Sequence, residues 1–269
     1  MSASAERAYA KLNLALHVRA AMADGYHAIE TVFAFCEDGD ELTAEPAEDV
    51  SLTIDGPFSG GLDPRDNLVS LAARRLARES GPGAGATIRL TKLLPVAAGL
   101  GGGSADAAAA LRLLTRIWDS KFDPPQLDAI ARDLGADVPA CVRSAPMRGT
   151  GRGDRLEPVQ LGVSGQAVLL VNPRVELPTG EVFAAWDKID RGPLDDWRFG
   201  RNDLEEAAMT VVPQIRSIVA WLSAQDGVEL VRMSGSGATC FALFDSDRQR
   251  DRAAEAVPRE WWRLATRLR

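Results

Sequence analysis

A cluster of glycines directly before an alanine-rich run constrains the fold of this chain more than any other feature. The segment reads PVAAGLGGGSADAAAAL and spans residues 95–111. Leu111, Leu114 and Trp118 recur at helical spacing, and the alanines leave one helix face small enough for close packing. The pattern therefore predicts a glycine-rich loop that ends at the amino terminus of a helix.

A loop of this kind is suited to binding an anion. The first N–H groups of a helix lack partners within the helix and carry partial positive charge, so a phosphate is favoured there without any basic side chain. Glycines at 99 and 101–103 allow tight turns and a close approach of the main chain. Ser104 can cap the helix or offer its hydroxyl to a metal–phosphate complex. A glycine-rich turn with a serine cap and no ligand is the alternative interpretation.

The motif differs from two common nucleotide-binding loops. A Walker A loop has lysine and then serine or threonine after its last glycine, whereas Gly103 is followed by Ser104 and Ala105. The dinucleotide fingerprint G-x-G-x-x-G starts at Gly99 and Gly101 but is broken by Ser104. We therefore expect neither a Walker A loop nor a dinucleotide-binding loop.

Composition limits the classes of partner. The chain has 269 residues and a formal net charge of −7, which opposes non-specific attraction to nucleic acid or anionic lipid. Its apolar runs are all shorter than the roughly 20 residues that a membrane span needs. We expect a small-molecule ligand, no nucleic acid partner and no membrane partner.

The chain start and the cysteines indicate a cytoplasmic protein. The first residues, MSASAERAYAKLNLALHV, have no apolar stretch behind a basic flank, and Glu6 is untypical of a transit peptide. Cys36, Cys141 and Cys240 are odd in number and form no C-x-x-C pair, so we predict neither a disulfide framework nor a zinc site.

Periodicity predicts an α+β fold rather than a doubly wound sheet, because strands and helices do not alternate strictly. Predicted strands cover residues 8–18, 28–35, 49–54, 86–94, 166–173, 228–233 and 240–244. Predicted helices cover 67–80, a segment after the central glycines in which Leu111, Leu114 and Trp118 recur, 123–134, 178–187, 202–209, 213–224 and a segment after Asp247. The glycine- and arginine-rich stretch 148–158 places a domain boundary near residue 155, dividing the chain into 1–155 and 156–269.

Three motifs in order resemble the GHMP kinases, named for galacto-, homoserine, mevalonate and phosphomevalonate kinases. They are AYAKLNLAL at 8–16, the central glycine motif at 95–111 and MSGSGATCFALF at 233–244. The resemblance implies a two-lobed α+β fold with ATP and substrate between the lobes. The N-terminal lobe would be like domain 2 of ribosomal protein S5, and the C-terminal lobe would be ferredoxin-like.

Four further segments are similar to one branch of that superfamily: DGYHAIETVF at 24–33, LGADVP at 134–139, ELPTGEVF at 176–183 and NDLEEAA at 202–208. Members of this branch use ATP to phosphorylate the 2-hydroxyl of a methylerythritol that carries a cytidine diphosphate group, in non-mevalonate isoprenoid precursor biosynthesis. Another small-alcohol or sugar kinase of the superfamily is an alternative function. A second alternative is that the protein binds a nucleotide but has no catalytic turnover.

Phosphoryl transfer requires positioning, charge stabilisation and a group that accepts the proton of the attacking hydroxyl. The resemblance implies that Asp137 accepts this proton and that Lys11 orients the oxygen. From the residues alone, Asp137 is equally a turn acid before an extended pre-proline residue, and Lys11 a solubilising charge on an edge strand.

Five residues are expected to bind the substrate. Asn13 lies two residues after Lys11 and so projects from the same face of the strand. Tyr26 and Phe183 supply rings to stack on cytosine, and His27 presents one donor and one acceptor. Thr179 helps to shape the same pocket. A turn at 26–27 and a core position for Phe183 are the structural alternatives.

The resemblance also implies an ATP site and a magnesium ion. Asn67 would lie near the adenine, although it serves equally well as a helix N-cap. Magnesium is expected with the triphosphate, and Ser104 is the candidate protein ligand. The remaining residues expected to bind ATP are Pro95, Ala97, Gly99, Leu100, Gly101, Gly102, Gly103, Ser104, Ala105, Gly235, Ser236 and Gly237.

Overall fold

The computed structural model describes residues 4–22, 27–120 and 122–269, which fold into two compact units. Neither unit is a continuous segment, because the first two strands and the glycine loop pass from one unit to the other. The first unit comprises Met1–Ala10, Asp38–Val96 and Gly101–Ser144. The second unit comprises Lys11–Glu37, Ala97–Leu100 and Ala145–Arg269. The boundary predicted near residue 155 concerns the two domains of the family rather than these two units, and it remains a prediction.

The first unit packs helices against a sheet. Its elements, the first two of which continue into the second unit, are β1 (Ser4–Ala21), β2 (His27–Ala47), β3 (Val50–Asp55), α1 (Leu68–Ser80), β4 (Gly85–Thr91), α2 (Gly102–Ile117), α3 (Pro124–Leu134) and α4 (Val138–Arg143). Strand β2 pairs antiparallel with β4 from Glu41 to Ala47, and β3 pairs parallel with β4. Helix α2 packs against α1 and α4 through its alanines and leucines, which are buried.

Strand β2 extends twelve residues beyond its predicted end at residue 35, since it runs to Ala47. The acids and the Asp-Gly pair in this extension are typical of a turn, but the strand continues because it pairs with β4. Gly39 is required here by close packing rather than by a turn. A Cβ atom at this position would lie 1.9 Å from the carbonyl oxygen of Ala8.

The second unit contains a ferredoxin-like arrangement, as the resemblance implied. Its elements are β5 (Met147–Thr150), β6 (Arg155–Pro158), β7 (Ala167–Asn172), α5 (Thr179–Ala185), α6 (Glu205–Val211), α7 (Gln214–Ser223), β8 (Val228–Met233), β9 (Cys240–Phe244), α8 (Asp247–Ala256) and β10 (Trp262–Arg267). The strands β7, β8, β9 and β10 form an antiparallel sheet in the order β10-β7-β9-β8. Helices α5 to α7 lie between the first two of these strands in sequence and α8 lies between the last two, which is the split βαβ topology.

Three strands and one helix were not predicted. Strands β5 and β6 form a hairpin within the glycine- and arginine-rich stretch, where Gly151 and Gly153 adopt positive φ angles between the strands. Strand β10 pairs with β7 although its sequence, WRLATR, is only weakly apolar. Helix α4 begins at Val138, so the interpretation of that residue as extended is wrong. Pro139 occupies the first turn of the helix, where it removes no required N–H donor.

Of the helices in the described part of the chain, none has both the length and the apolar character to cross a bilayer.

Candidate active site

The side chains of Lys11 and Asn13 form a buried polar chain on β1. Lys11 Nζ donates a hydrogen bond to Asn13 Oδ1 at 2.7 Å, and Asn13 Nδ2 donates to Thr31 Oγ1 at 2.8 Å. Thr31 in turn donates to the carbonyl oxygen of Ala15 at 2.7 Å. The Lys11 ammonium also lies 5.3 Å from the centre of the Phe33 ring, within range of a cation–π interaction.

Both faces of β1 are buried in this region. Ala10, Leu12 and Leu14 are completely buried, as the alternating pattern predicts, but Lys11 and Asn13 are only 3% and 2% exposed. The interpretation of Lys11 as a solubilising charge on an edge strand is therefore wrong. A buried ammonium is costly unless it has polar partners, so the Asn13 amide stabilises it.

Main-chain atoms of the central glycine loop lie in contact with main-chain atoms of the C-terminal glycine motif. The Ser234 hydroxyl accepts a hydrogen bond from the Asn13 N–H at 3.2 Å and donates one to the Gly99 carbonyl at 2.9 Å. Gly99 has a φ of 75°, and a Cβ atom there would lie 2.3 Å from the Ser234 carbonyl oxygen and 2.8 Å from that of Gly237. Glycine is thus required at position 99 for both conformation and space.

Asn202 holds the C-terminal glycine motif from another side. Its Nδ2 donates hydrogen bonds to the carbonyl oxygens of Met233 at 2.8 Å and Gly235 at 2.7 Å. Its Oδ1 accepts a hydrogen bond from the N–H of Leu204 at 3.0 Å. Gly235 and Gly237 have φ angles of 57° and 87°, which few other residues adopt. A buried amide side chain therefore fixes the turn that these glycines allow.

The aromatic residues predicted to bind the base lie together. The rings of His27 and Phe183 stack with centroids 5.0 Å apart and planes 19° apart, and Trp186 contacts His27 edge-on at 5.4 Å. Phe183 is half-buried and also packs against the apolar core of the second unit. A base between two rings needs two contacts of about 3.5 Å each, so this stack has room for cytosine only on an outer ring face. Tyr26 lies outside the described residues.

Thr179 connects the predicted substrate residues to the predicted ATP residues. Its hydroxyl lies 2.8 Å from the Ser236 hydroxyl, within hydrogen-bonding distance. The start of α5 and the C-terminal glycine motif are therefore linked within the second unit.

The start of α2 differs from the prediction in one respect. The N-cap is Gly101, with a φ of 62°, and the helix begins at Gly102. Ser104 is the third helical residue, so the interpretation of this serine as the N-cap is wrong. Its side chain is half-buried. Gly103 is exposed, and Ala105 donates its N–H to the Gly101 carbonyl at 2.8 Å.

The segment that leads to this helix is anchored in the second unit. The Leu100 carbonyl accepts a hydrogen bond from the Lys11 N–H at 2.9 Å, and the Leu100 side chain is buried. Ala97 is exposed and has a φ of 50°, whereas Pro95 is buried. The loop thus places the main chain of residue 100 directly beside the strand that carries Lys11.

Two predicted residues of the first unit lie at helix starts. Asn67 is the N-cap of α1, where its Oδ1 accepts a hydrogen bond from the Val69 N–H at 2.8 Å, so the capping interpretation is confirmed. Asp137 immediately precedes α4 and is half-buried, and its side chain does not cap that helix. Its role as a proton acceptor and the role of Asn67 near adenine remain predictions.

The chain matches two parts of one kinase family. Residues 67–145 match the family described as GHMP kinases N terminal domain, and residues 188–264 match GHMP kinases C terminal. A 4-diphosphocytidyl-2-C-methyl-D-erythritol kinase of Rhizorhabdus wittichii is 56% identical over 98% of this chain and 94% of its own length. The chain belongs to the 4-diphosphocytidyl-2-C-methyl-D-erythritol kinases, a family of GHMP kinases. An enzyme of the same name from Novosphingobium aromaticivorans is 52% identical over 98% of this chain and 92% of its own length.

Solved structures agree with this membership. A crystal structure of 4-(cytidine 5'-diphospho)-2C-methyl-D-erythritol kinase superposes with a TM-score of 0.86 at 33% identity, over 98% of this chain and 99% of the other. A homoserine kinase from Cytophaga hutchinsonii shares the fold with a TM-score of 0.70 at 19% identity, over 97% of this chain and 95% of the other. The protein therefore has the GHMP kinase fold and is a kinase that takes ATP as co-substrate.

Three residues of this GHMP kinase site were not predicted: Thr31, Ser234 and Asn202. All three lie inside the motifs that carried the resemblance, yet nothing in the sequence assigned them a role. Ser234 and Asn202 also have partners that are distant in the chain, since Asn13 and Ser234 are 221 positions apart and Asn202 and Gly235 are 33 positions apart. Their position inside these motifs was the signal available in the sequence.

We expect Gly99→Ala to destabilise the kinase and to abolish nucleotide binding. The left-handed conformation costs an alanine about 1–2 kcal/mol, and the clash with the Ser234 carbonyl adds about 1–3 kcal/mol. Gly162→Ala is the matched control, because Gly162 has a similar φ of 67° with no atom near its Cβ position. Thermal unfolding and calorimetric titration with ADP measure both effects. Equal losses of thermal stability and of ADP affinity in Gly99→Ala and Gly162→Ala would contradict the role of close packing at residue 99.

Proposed function

We propose that the protein transfers the γ-phosphoryl group of ATP to the 2-hydroxyl of 4-diphosphocytidyl-2-C-methyl-D-erythritol, giving the 2-phosphate and ADP. The observation that carries the proposal is the buried Lys11–Asn13 pair, whose strand is hydrogen-bonded to both glycine motifs. Relatives at 56% and 52% identity bear the name of this activity. The reaction belongs to isoprenoid precursor biosynthesis and takes place in the cytoplasm.

In this proposal Asp137 accepts the proton of the 2-hydroxyl as the oxygen attacks the γ-phosphorus. The bond between that phosphorus and the β,γ-bridging oxygen breaks, and ADP leaves with the electron pair. Lys11 orients the attacking oxygen and offsets the negative charge that develops on the phosphoryl group. Because Lys11 already donates to Asn13, its ammonium is held in place before the substrate arrives.

The main chain at residues 99–104 binds the polyphosphate in this proposal. The N–H groups at the start of α2 point out of the helix without partners inside it, and they favour an anion. Gly235, Ser236 and Gly237 contribute through the turn that Asn202 fixes. Residues Pro95, Ala97, Leu100 and Ala105 shape the loop, and Asn67 lies near the adenine.

Magnesium accompanies the ATP in the proposed reaction and neutralises charge on its phosphates. The Ser104 hydroxyl fits such a role, since Ser104 lies in the first turn of α2, beside the main-chain N–H groups that would bind the phosphates. Among the described residues, no group of three or more His, Cys, Asp or Glu side chains is arranged to hold a metal ion. Nucleotide and water would supply the other ligands.

His27, Phe183 and Thr179 bind the cytidine end of the substrate in the same proposal, together with Asn13 and Tyr26. The His27–Phe183 stack supports this, because it offers a flat aromatic face next to a donor and an acceptor. Thr179 positions this pocket relative to Ser236.

A coupled assay for ADP release tests the acceptor. We expect ADP release to require the cytidyl substrate and to remain at background level with mevalonate, homoserine or galactose. Efficient turnover of one of these three acceptors would contradict the proposed substrate. ADP release with none of the four would contradict the proposed activity as a whole.

We expect Asp137→Asn to lower kcat by about 10²–10⁴-fold, because the amide cannot accept the proton. The affinity for ATP should change little, since Asp137 is not proposed to contact the nucleotide. Asp133→Asn is the control, as Asp133 is exposed near the end of α3. Steady-state kinetics and calorimetry separate the two effects, and unchanged turnover in Asp137→Asn would exclude this residue as the base.

We expect Phe183→Leu to raise KM for the cytidyl substrate about 5- to 100-fold, since one stacking contact contributes about 1–3 kcal/mol. Leucine retains the contact with the apolar core, so the fold and KM for ATP should be preserved. Phe199→Leu is the matched control, because the Phe199 side chain is 90% exposed. Initial rates at varied concentrations of each substrate measure KM for the cytidyl substrate and KM for ATP. An equal KM for the cytidyl substrate in Phe183→Leu and Phe199→Leu would exclude Phe183 from the substrate pocket.

A further inference from the structure

A buried arginine, Arg232, lies at the end of β8, two residues before Ser234. It is only 7% exposed. Its guanidinium donates hydrogen bonds to the main-chain carbonyl oxygens of Leu14, of Trp197 at 2.9 Å and of Arg198 at 3.4 Å. Taking a guanidinium out of water is costly, and an apolar side chain fills a core without that cost. The three carbonyl contacts are therefore a feature to be explained.

The side chains of Arg232 and Ser234 hold two consecutive residues of β1. Residues two apart in an extended chain project from the same face, so both side chains reach the same neighbouring strand. The guanidinium binds the Leu14 carbonyl, and the Ser234 hydroxyl accepts a hydrogen bond from the Asn13 N–H at 3.2 Å. The end of β8 therefore fixes the position of β1 along its own length, because a shift of one residue would break both contacts.

A second set of hydrogen bonds holds the next part of β1. The Leu16 N–H donates to the Arg201 carbonyl at 2.8 Å, and the Leu16 carbonyl accepts from the Asp203 N–H at 2.9 Å. The Val18 N–H donates to the Asp203 carboxylate at 2.8 Å. Main-chain groups of alternate residues point to the same edge of a strand, so the Leu14 carbonyl continues this row. The guanidinium therefore binds the member of the row that lies nearest to the buried polar chain on β1.

The position of β1 matters for phosphoryl transfer in the proposed function, on which this inference rests. There, Lys11 orients the attacking oxygen, and the glycine turn at 235–237 helps to bind the polyphosphate. Transfer requires the oxygen and the γ-phosphorus to lie about 3–3.5 Å apart, and a displacement of about 1 Å can cost about 10²-fold in rate. The main chain of Arg232 leads into this glycine turn, and its side chain holds the strand that carries Lys11.

We propose that Arg232 is a positioning residue for phosphoryl transfer: through the Leu14 carbonyl it sets where β1 presents Lys11 relative to the C-terminal glycine motif. It acts through the main chain of β1 and touches neither ATP nor the acceptor. Its loss therefore lowers the rate of transfer rather than the affinity for either substrate. A guanidinium suits this role better than an ammonium, because its planar fork binds carbonyls of separate segments in one fixed orientation.

Arg250 on α8 is a matched control for Arg232. It is buried to a similar degree, at 9% exposed, and its guanidinium donates to the Thr266 carbonyl on β10 at 2.6 Å. Strand β10 lies at the opposite edge of the four-stranded sheet from β8. It carries no residue that is proposed to bind ATP or the cytidyl substrate. Replacing either arginine by methionine keeps an unbranched side chain but removes every hydrogen-bond donor.

Steady-state kinetics of Arg232→Met and Arg250→Met, at a temperature at which both variants are folded, test the proposal. We expect Arg232→Met to lower kcat about 10- to 100-fold, while KM for ATP, KM for the cytidyl substrate and Kd for ADP change less than about threefold. Arg250→Met should keep kcat within about twofold of the wild type. Both variants should have a lower Tm, because each leaves a buried carbonyl without its donor. A purely structural role of Arg232 would lower Tm without this separate loss of kcat.

Arg232→Lys and Arg250→Lys repeat the comparison with a side chain that keeps the charge, in case a methionine variant does not fold. An ammonium lacks the fork that binds three carbonyls, so we expect a lower kcat than wild type in Arg232→Lys and an unchanged kcat in Arg250→Lys. Equal kcat in the Arg232 and Arg250 variants would overturn the inference, as would a loss in Arg232→Met that appears in KM alone. If the wild type phosphorylates the cytidyl substrate and the two sets of variants behave alike, only the inference is refuted. A wild type that releases no ADP would refute the proposed function.

Discussion

The main-chain contact between Gly99 and the turn at 234–237 is the constraint on which the rest of the site depends. The two backbones can approach this closely because residue 99 carries no side chain at the point of contact. The Ser234 hydroxyl joins this contact to the main chain of β1 at Asn13, and so to the strand that carries Lys11. Both glycine motifs and the strand that carries Lys11 are thereby held by one set of hydrogen bonds.

Local donors rather than overall charge attract the nucleotide in the proposed function. The protein carries a net charge of −7, which repels an anionic ligand at long range. Main-chain N–H groups at a helix start act only at short range, but they need no flexible basic side chain to be ordered.

Much of the fold and part of the site could be predicted from the sequence. The alternating pattern at 10–14 identified the buried apolar positions of β1 because strand side chains have a strict period of two. The Asn67 cap was likewise predictable, since its partner is two residues away. Strand β10 and the hairpin of β5 and β6 were missed because their pairing, rather than their own sequence, stabilises them. The continuation of β2 past Gly39 was missed for the same reason.

The sequence by itself determined the family, the glycine positions and the two polar residues on β1, because these depend on local conformation and on motifs that can be read along the chain. Only the tertiary structure decided that Lys11 is buried, that Asn202 holds Gly235, and that Lys92 joins Asp40 to Asp106. Each of these contacts unites residues that are far apart in the chain. Burial and charge pairing depend on which surfaces meet in space, and a linear pattern does not contain that information.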